Sequence, residues 1–183
     1  MTGYKIVLQL YSNVETWREL IIPENITFKQ LHDIIQKVFG FYNYHMYNFQ
    51  VPEKIPDENA VDLNSIIQTI GHENSNDIKI NKIVNDNSIL LYVYDFGDNW
   101  EIVISIMDKV DYDENTAVIT DFKGKYNPLD DMGGIDVFEE VMDCIDDEED
   151  LFHVLDDYCM DMNDLDSMDF TKKFKKGSII EFK

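Results

Sequence analysis

Apolar and polar residues alternate from Tyr4 to Leu10, with Tyr4, Ile6, Leu8 and Leu10 set against Lys5, Val7 and Gln9. This is the two-residue period of a strand with one buried face. A turn at Ser12-Asn13 leads into a second strand over Thr16 to Ile22, ended by Pro23. The period then lengthens. Set 100° apart, Phe28, Leu31, Ile34, Ile35, Val38 and Phe39 share an arc about 160° wide, opposite Lys29, Gln30, Asp33, Gln36 and Lys37. Thr27 and Gln30 form a T-x-x-Q capping box, Ile26 and Leu31 are placed for a hydrophobic staple, and Gly40 is a natural stop. A helix follows from that pattern.

An aromatic-rich run, Phe41 to Val51, reads as a third strand closed by Pro52. Asp62 is placed to cap a short helix carrying Ile66, Ile67 and Ile70, and 78–84 reads as another helical turn. Ser88 to Tyr94 and Trp100 to Met107 are two β-prone runs joined by Asp95-Phe96-Gly97-Asp98-Asn99, a hairpin whose glycine is expected at positive φ. A strand at Ala117 to Phe122, turns at Asn127-Pro128 and Gly133-Gly134, helices at 135–145 and 148–162, and a last strand at Ser178 to Phe182 complete the reading. The order β-β-α-β plus hairpin predicts one α+β domain over 1–183, with a mixed sheet covered by helices. Its core spans 4–134, followed by an acidic helical part, 135–170, and a basic end, 171–183.

Charge narrows the function. The net charge is −22, and 17 acidic residues lie between Asp130 and Asp169 without one Lys or Arg. Such a chain repels phosphate backbones, so direct nucleic-acid binding loses its main electrostatic source. Arg18 is the single arginine, too thin a provision for bidentate phosphate or guanine recognition. The basic cluster Lys172, Lys173, Lys175 and Lys176 reads as a solvated end pairing loosely with the acids before it. No apolar run reaches membrane-spanning length and the start has no signal-peptide pattern, so a cytoplasmic location is expected. Cys144 and Cys159 form no CxxC pair and read as buried thiols in helices.

Several strings together resemble one family. They are Thr16-Trp17-Arg18, Leu31-His32-Asp33-Ile34-Ile35-Gln36, and Phe39-Gly40-Phe41 through His45 to Phe49. Tyr94-Asp95-Phe96-Gly97-Asp98 with Trp100 follows, trailed by Pro128-Leu129-Asp130-Asp131-Met132-Gly133-Gly134. The set resembles the plasmid pRiA4b ORF-3-like family over roughly residues 4 to 165, and implies an α+β roll with a β-grasp-like core. Some members carry a TnpR-type transposon name. A serine recombinase needs several arginines around the scissile phosphate, so a chain with one arginine and this charge does not suit that label. Cysteines common in relatives near the Gly-Gly turn are missing, with Met132 at one such position and none in Ile119 to Lys125. Any role of those cysteines is lost here.

The chemistry-bearing residues admit two readings. In the first, the chain is a non-enzymatic module for an unidentified protein or peptide, basic in character and bound without a cofactor. The hairpin loop then approaches His45 and the Asp130–Gly134 turn. Trp100 and Tyr94 supply apolar contact, Asp95 and Asp98 polar capture, and Arg18, beside Trp17, clamps Asp130-Asp131. Gly97, Gly133 and Gly134 serve as turns. In the second, one divalent metal ion held by His32, His45, Asp95 and Asp98, with Asp130 or Asp131 as further oxygen ligands, assists hydrolysis, although the spacing matches no established ligand motif. His32, on the edge of the helix's apolar arc, reads equally as a hydrogen-bonded core residue. Asp95-Phe96-Gly97 is not a kinase signature, since neither a Gly-rich loop nor an H-R-D string accompanies it. Asp111, Asp113 and Asn115 begin a calcium-loop frame that fails at Thr116 and Phe122.

Overall fold

The computed structural model describes residues 2–54 and 61–183. Among these residues eight strands form one open sheet: β1 (Thr2–Leu10), β2 (Trp17–Pro23), β3 (Tyr47–Lys54), β4 (Val61–Gly71), β5 (Ile89–Tyr94), β6 (Trp100–Asp111), β7 (Ala117–Lys123) and β8 (Ile179–Ile180). Their spatial order is β4-β3-β5-β6-β1-β2-β7-β8. Every pairing between these strands is antiparallel, which establishes the α+β class and corrects the expected mixed sheet. Among the described residues five α-helices accompany it: α1 (Phe28–Phe39), α2 (Ile135–Asp143), α3 (Glu148–Asp157), α4 (Met162–Met168) and α5 (Phe170–Lys173). No helix is long and apolar enough to cross a membrane among the described residues.

The strongest sequence signals form as read. Tyr4, Ile6, Leu8 and Leu10 are buried on β1 while Gln9 faces solvent. Thr27 and Gln30 close the capping box of α1, Gly40 takes the left-handed conformation at its end, and the apolar arc of the helix is buried. A cap of this kind stabilises by about 1 kcal/mol, whereas each large apolar side chain buried contributes about 2 kcal/mol, so packing decides the helix's place. Phe28 meets Phe49 of β3 edge-on with centroids 5.0 Å apart, and His32 stacks on Tyr47 at 3.6 Å.

Other segments differ from expectation. Residues 61–71 are an edge strand, not a helix. Its β-branched Ile66, Ile67, Thr69 and Ile70 suit a strand, and pairing with β3 outweighs the helical spacing of the isoleucines. The third strand starts at Tyr47 and continues through Pro52, where register shifts on both sides absorb the missing N–H. The second C-terminal helix is two, α3 and α4, with Cys159 exposed between them at φ 55°. The basic end is partly paired: Lys172 meets Asp166, and Lys176 lies 2.7 Å from Asp121.

Candidate functional site

Antiparallel register brings the first two chemistry-bearing segments together. Tyr47 at the start of β3 pairs with Tyr94 at the end of β5, so the residues just before β3 face those just after β5. The Asp95 N–H accordingly donates to the Met46 carbonyl at 3.0 Å. His45 Nε2 then lies 3.7 Å from Asp95 Oδ2. Asp95 itself sits at φ 53°, and its Oδ1 accepts the Gly97 N–H at 2.9 Å. The left-handed residues of the hairpin are thus Asp95 and Asn99, not Gly97. Short polar side chains that bond locally make that conformation accessible to Asp and Asn.

The turn before α2 closes the third side. Gly133 N–H donates to Asp98 Oδ2 at 3.1 Å, and a Cβ on Gly134 would stand 2.9 Å from the Asp98 carbonyl oxygen. Gly134, at φ 87°, therefore permits the hairpin and this turn to touch. Asp130, only 8% exposed, uses Oδ2 to accept from the Tyr42 N–H at 2.6 Å and the Tyr94 hydroxyl at 3.0 Å. Its Oδ1 is buried without a hydrogen-bond partner. Burial pushes the Asp130 carboxyl up, against its bonds to Tyr42 and Tyr94 and the nearby His45. Asp131, more exposed, places Oδ1 3.0 Å from His45 Nε2, within ion-pair distance, yet the buried Nε2 makes no hydrogen bond. One donor atom from each of His45, Asp95 and Asp130 falls within 4.8 Å of the others.

Comparison with known proteins places the chain. The family model described as plasmid pRiA4b ORF-3-like protein matches residues 2–173. The chain belongs to that family. A relative from Sinorhizobium fredii (strain NBRC 101917 / NGR234), the uncharacterized protein y4hQ, is 30% identical over 94 residues. That match covers 49% of this chain and 44% of the relative, so the chain spans less than half the length of the curated relative it matches. A crystal structure of the protein of unknown function MM3350 from Methanosarcina mazei Go1 superposes with a TM-score of 0.65 at 23% identity. It covers 84% of this chain and 87% of that one, a likeness of fold.

Within this pRiA4b ORF-3-like chain, the remaining expected site residues stand elsewhere. Trp100 is fully buried in the core, and Tyr94 is buried with its hydroxyl spent on Asp130, so neither offers apolar contact to a partner. His32 is also fully buried, and both ring nitrogens are engaged: Nδ1 with the Tyr92 hydroxyl at 2.8 Å and Nε2 with Asn43 Oδ1 at 2.7 Å. Desolvation lowers its pKa to about 3. It is a neutral core residue, which removes it from the metal set. Asp98 is committed to Gly133 and is absent from the three-residue cluster.

Arg18 does not clamp Asp130-Asp131. It is fully buried, donating from Nη1 to the carbonyls of Trp17 (2.8 Å) and Lys123 and from Nη2 to Asn127 Oδ1 at 2.7 Å. Trp17 is half-buried beside it. The exposed apolar groups nearest the cluster in sequence are Tyr42, Tyr44, Met46 and Phe96, each more than half exposed. The run Phe41–Met46 hid the first three, because an aromatic stretch reads as a buried strand until the strand's true start is known.

Proposed function

We propose that this protein is a non-enzymatic binding module for a basic, partly apolar peptide segment of another protein. The observation that carries the reading is the exposed set Tyr42, Tyr44, Met46 and Phe96 on the two loops that meet at the acidic junction of Asp95, Asp98, Asp130 and Asp131. Single exposed apolar residues are ordinary, whereas four on two adjoining loops have the makeup of a contact patch. Charge selects the occupant. Among the described residues no Lys or Arg pairs with these four carboxylates, and the chain carries −22 overall. Lysine or arginine side chains complement the acids while apolar neighbours cover the tyrosines and Phe96.

The test is fluorescence anisotropy with a labelled peptide alternating Lys and Leu, against a Glu-Leu counterpart, at 20 and 300 mM NaCl. Tight binding of the Lys peptide that weakens with salt, and falls about tenfold in a Tyr44→Ala, Phe96→Ala double variant, supports the reading. The double variant keeps every charge. Equal binding by it and the wild type means the peptide merely follows net charge, and overturns the reading. A second reading, metal-assisted hydrolysis, is favoured by the unpartnered donor atoms at the same junction; it needs His45, Asp95 and Asp130 in place of the set that included His32.

A further inference from the structure

We propose that His45, Asp95 and Asp130 bind one divalent transition-metal ion where the β5–β6 hairpin, the loop after α1 and the turn before α2 meet. This goes beyond peptide capture, because the ion would occupy the floor of the junction whether or not a peptide lies on its rim. Two buried atoms there make no hydrogen bond, Asp130 Oδ1 and His45 Nε2, the latter with carboxylate oxygens of Asp131 and Asp95 at 3.0 and 3.7 Å. A buried polar atom left unsatisfied costs about 1–3 kcal/mol, so two in one place call for a ligand. One ligand atom from each of His45, Asp95 and Asp130 lies within 4.8 Å of the others, close enough to share an ion. Donors about 2.1 Å from a metal stand roughly 3.0–3.5 Å from one another, and His45 Nε2 is already 3.7 Å from Asp95 Oδ2.

The carboxylates are held as metal ligands are held. Asp130 is anchored through Oδ2 by the Tyr42 N–H and the Tyr94 hydroxyl, which leaves Oδ1. Asp95 is anchored through Oδ1 by the Gly97 N–H, which leaves Oδ2 toward His45. Hydrogen bonds of this outer kind fix the orientation of ligand oxygens before the ion arrives. The ion also supplies positive charge that no Lys or Arg supplies among the described residues. One imidazole with two carboxylates suits zinc, manganese or iron, while calcium and magnesium favour oxygen alone. Three protein ligands leave at least one position open to water or to a donor from a partner.

The experiment is isothermal titration of the full, chelator-stripped chain with zinc sulfate and manganese chloride, with magnesium and calcium chloride as controls. Metal per chain after dialysis is counted by mass spectrometry. One equivalent of zinc or manganese is expected, lost or weakened at least about tenfold in His45→Gln and in Asp130→Asn. The partly exposed His45 makes its variant the safer for folding, checked by circular dichroism. Tyr44→Ala, Phe96→Ala keeps the ion and loses the peptide, which separates the two proposals. No binding above the magnesium control overturns the site. So does one-equivalent binding that survives both ligand variants but disappears in His72→Gln or His153→Gln.

Discussion

The Tyr94 hydroxyl donates to Asp130 Oδ2 across 3.0 Å while accepting the Tyr44 N–H at 3.1 Å. One buried phenol thus ties the end of β5, the loop before β3 and the turn before α2. Burial, followed by the bond to Asp130 and its charge, raises the Tyr94 pKa, so the hydroxyl stays a donor throughout the working range. Removing it in Tyr94→Phe leaves the Tyr44 N–H without its acceptor and Asp130 Oδ2 with the Tyr42 N–H alone. Unfolding by urea should show a loss of about 2 kcal/mol. Zinc affinity should fall about tenfold, because Asp130 loses an anchor without losing its carboxylate. Unchanged zinc affinity would mean that the Tyr42 N–H orients Asp130 unaided.

A closed ring of hydrogen bonds supports the loop from below. Gln36 Nε2 donates to the Tyr92 hydroxyl (3.0 Å), which donates to His32 Nδ1 (2.8 Å); His32 Nε2 donates to Asn43 Oδ1 (2.7 Å), and the Asn43 N–H donates to Gln36 Oε1 (2.8 Å). Every group is satisfied only while His32 is neutral. Protonation would turn Nδ1 into a second donor to the Tyr92 oxygen and strand the hydroxyl hydrogen. The folded pKa is about 3 against an ordinary 6.5, so between those values the unfolded chain takes a proton that the folded chain refuses. Stability from this source is present above pH 6.5 and drains away as pH falls through that window. From pH 7 to pH 5 the wild type should lose about 2 kcal/mol more than His32→Gln in urea unfolding. Parallel curves for the two proteins would show that the ring tolerates the charge.

Much of the fold was legible because local rules and packing agree in it. The capping box and arc of α1 and the alternation of β1 each specify one answer, and the core confirms it. Residues 61–71 mislead because isoleucines at 66, 67 and 70 satisfy a helical spacing, while only the neighbouring strand β3 shows which backbone pairing wins. The site was legible in its chemical types, since His45, Asp95, Asp98, Asp130 and Asp131 do meet around one junction. The division of labour among them was not. Which residues turn their free atoms toward one another depends on the Tyr47–Tyr94 register and on two hydrogen bonds to Asp130, neither of which a local pattern encodes.

Gly97 and Gly134, both at the junction, should respond to alanine to very different degrees. Gly97 lies outside the positive-φ set, and its added Cβ would meet only Asp95 Oδ1, at 3.2 Å. Gly97→Ala should cost under about 1 kcal/mol. Gly134 sits at φ 87°, with the Asp98 carbonyl oxygen 2.9 Å from the added Cβ. Alanine there pays for the left-handed backbone and must also push the hairpin away, a loss of about 2–3 kcal/mol. Thermal unfolding of the pair decides the matter: equal midpoints would mean that the hairpin and turn do not depend on their close approach.

Arg18 carries the sharpest stability prediction. Its guanidinium carbon lies 3.9 Å from the Phe170 ring centroid and 5.9 Å from that of Phe39, with no carboxylate paired to it among the described residues. Burial lowers its pKa to about 9, still protonated at neutral pH. The charge is tolerated because carbonyls of Trp17 and Lys123, Asn127 Oδ1 and the Phe170 face surround it. Asn127 in turn donates to the Val38 carbonyl at 2.9 Å, so the arginine holds the turn that leads to Asp130 against α1. A lysine cannot span two carbonyls and an amide while stacking on a ring. Arg18→Lys should therefore lose about 2–4 kcal/mol in urea unfolding, at any salt concentration, because the contacts it breaks are buried. A lysine variant as stable as the wild type would show that the stack and the forked hydrogen bonds contribute little, and that packing of the aliphatic stem alone holds this corner of the sheet.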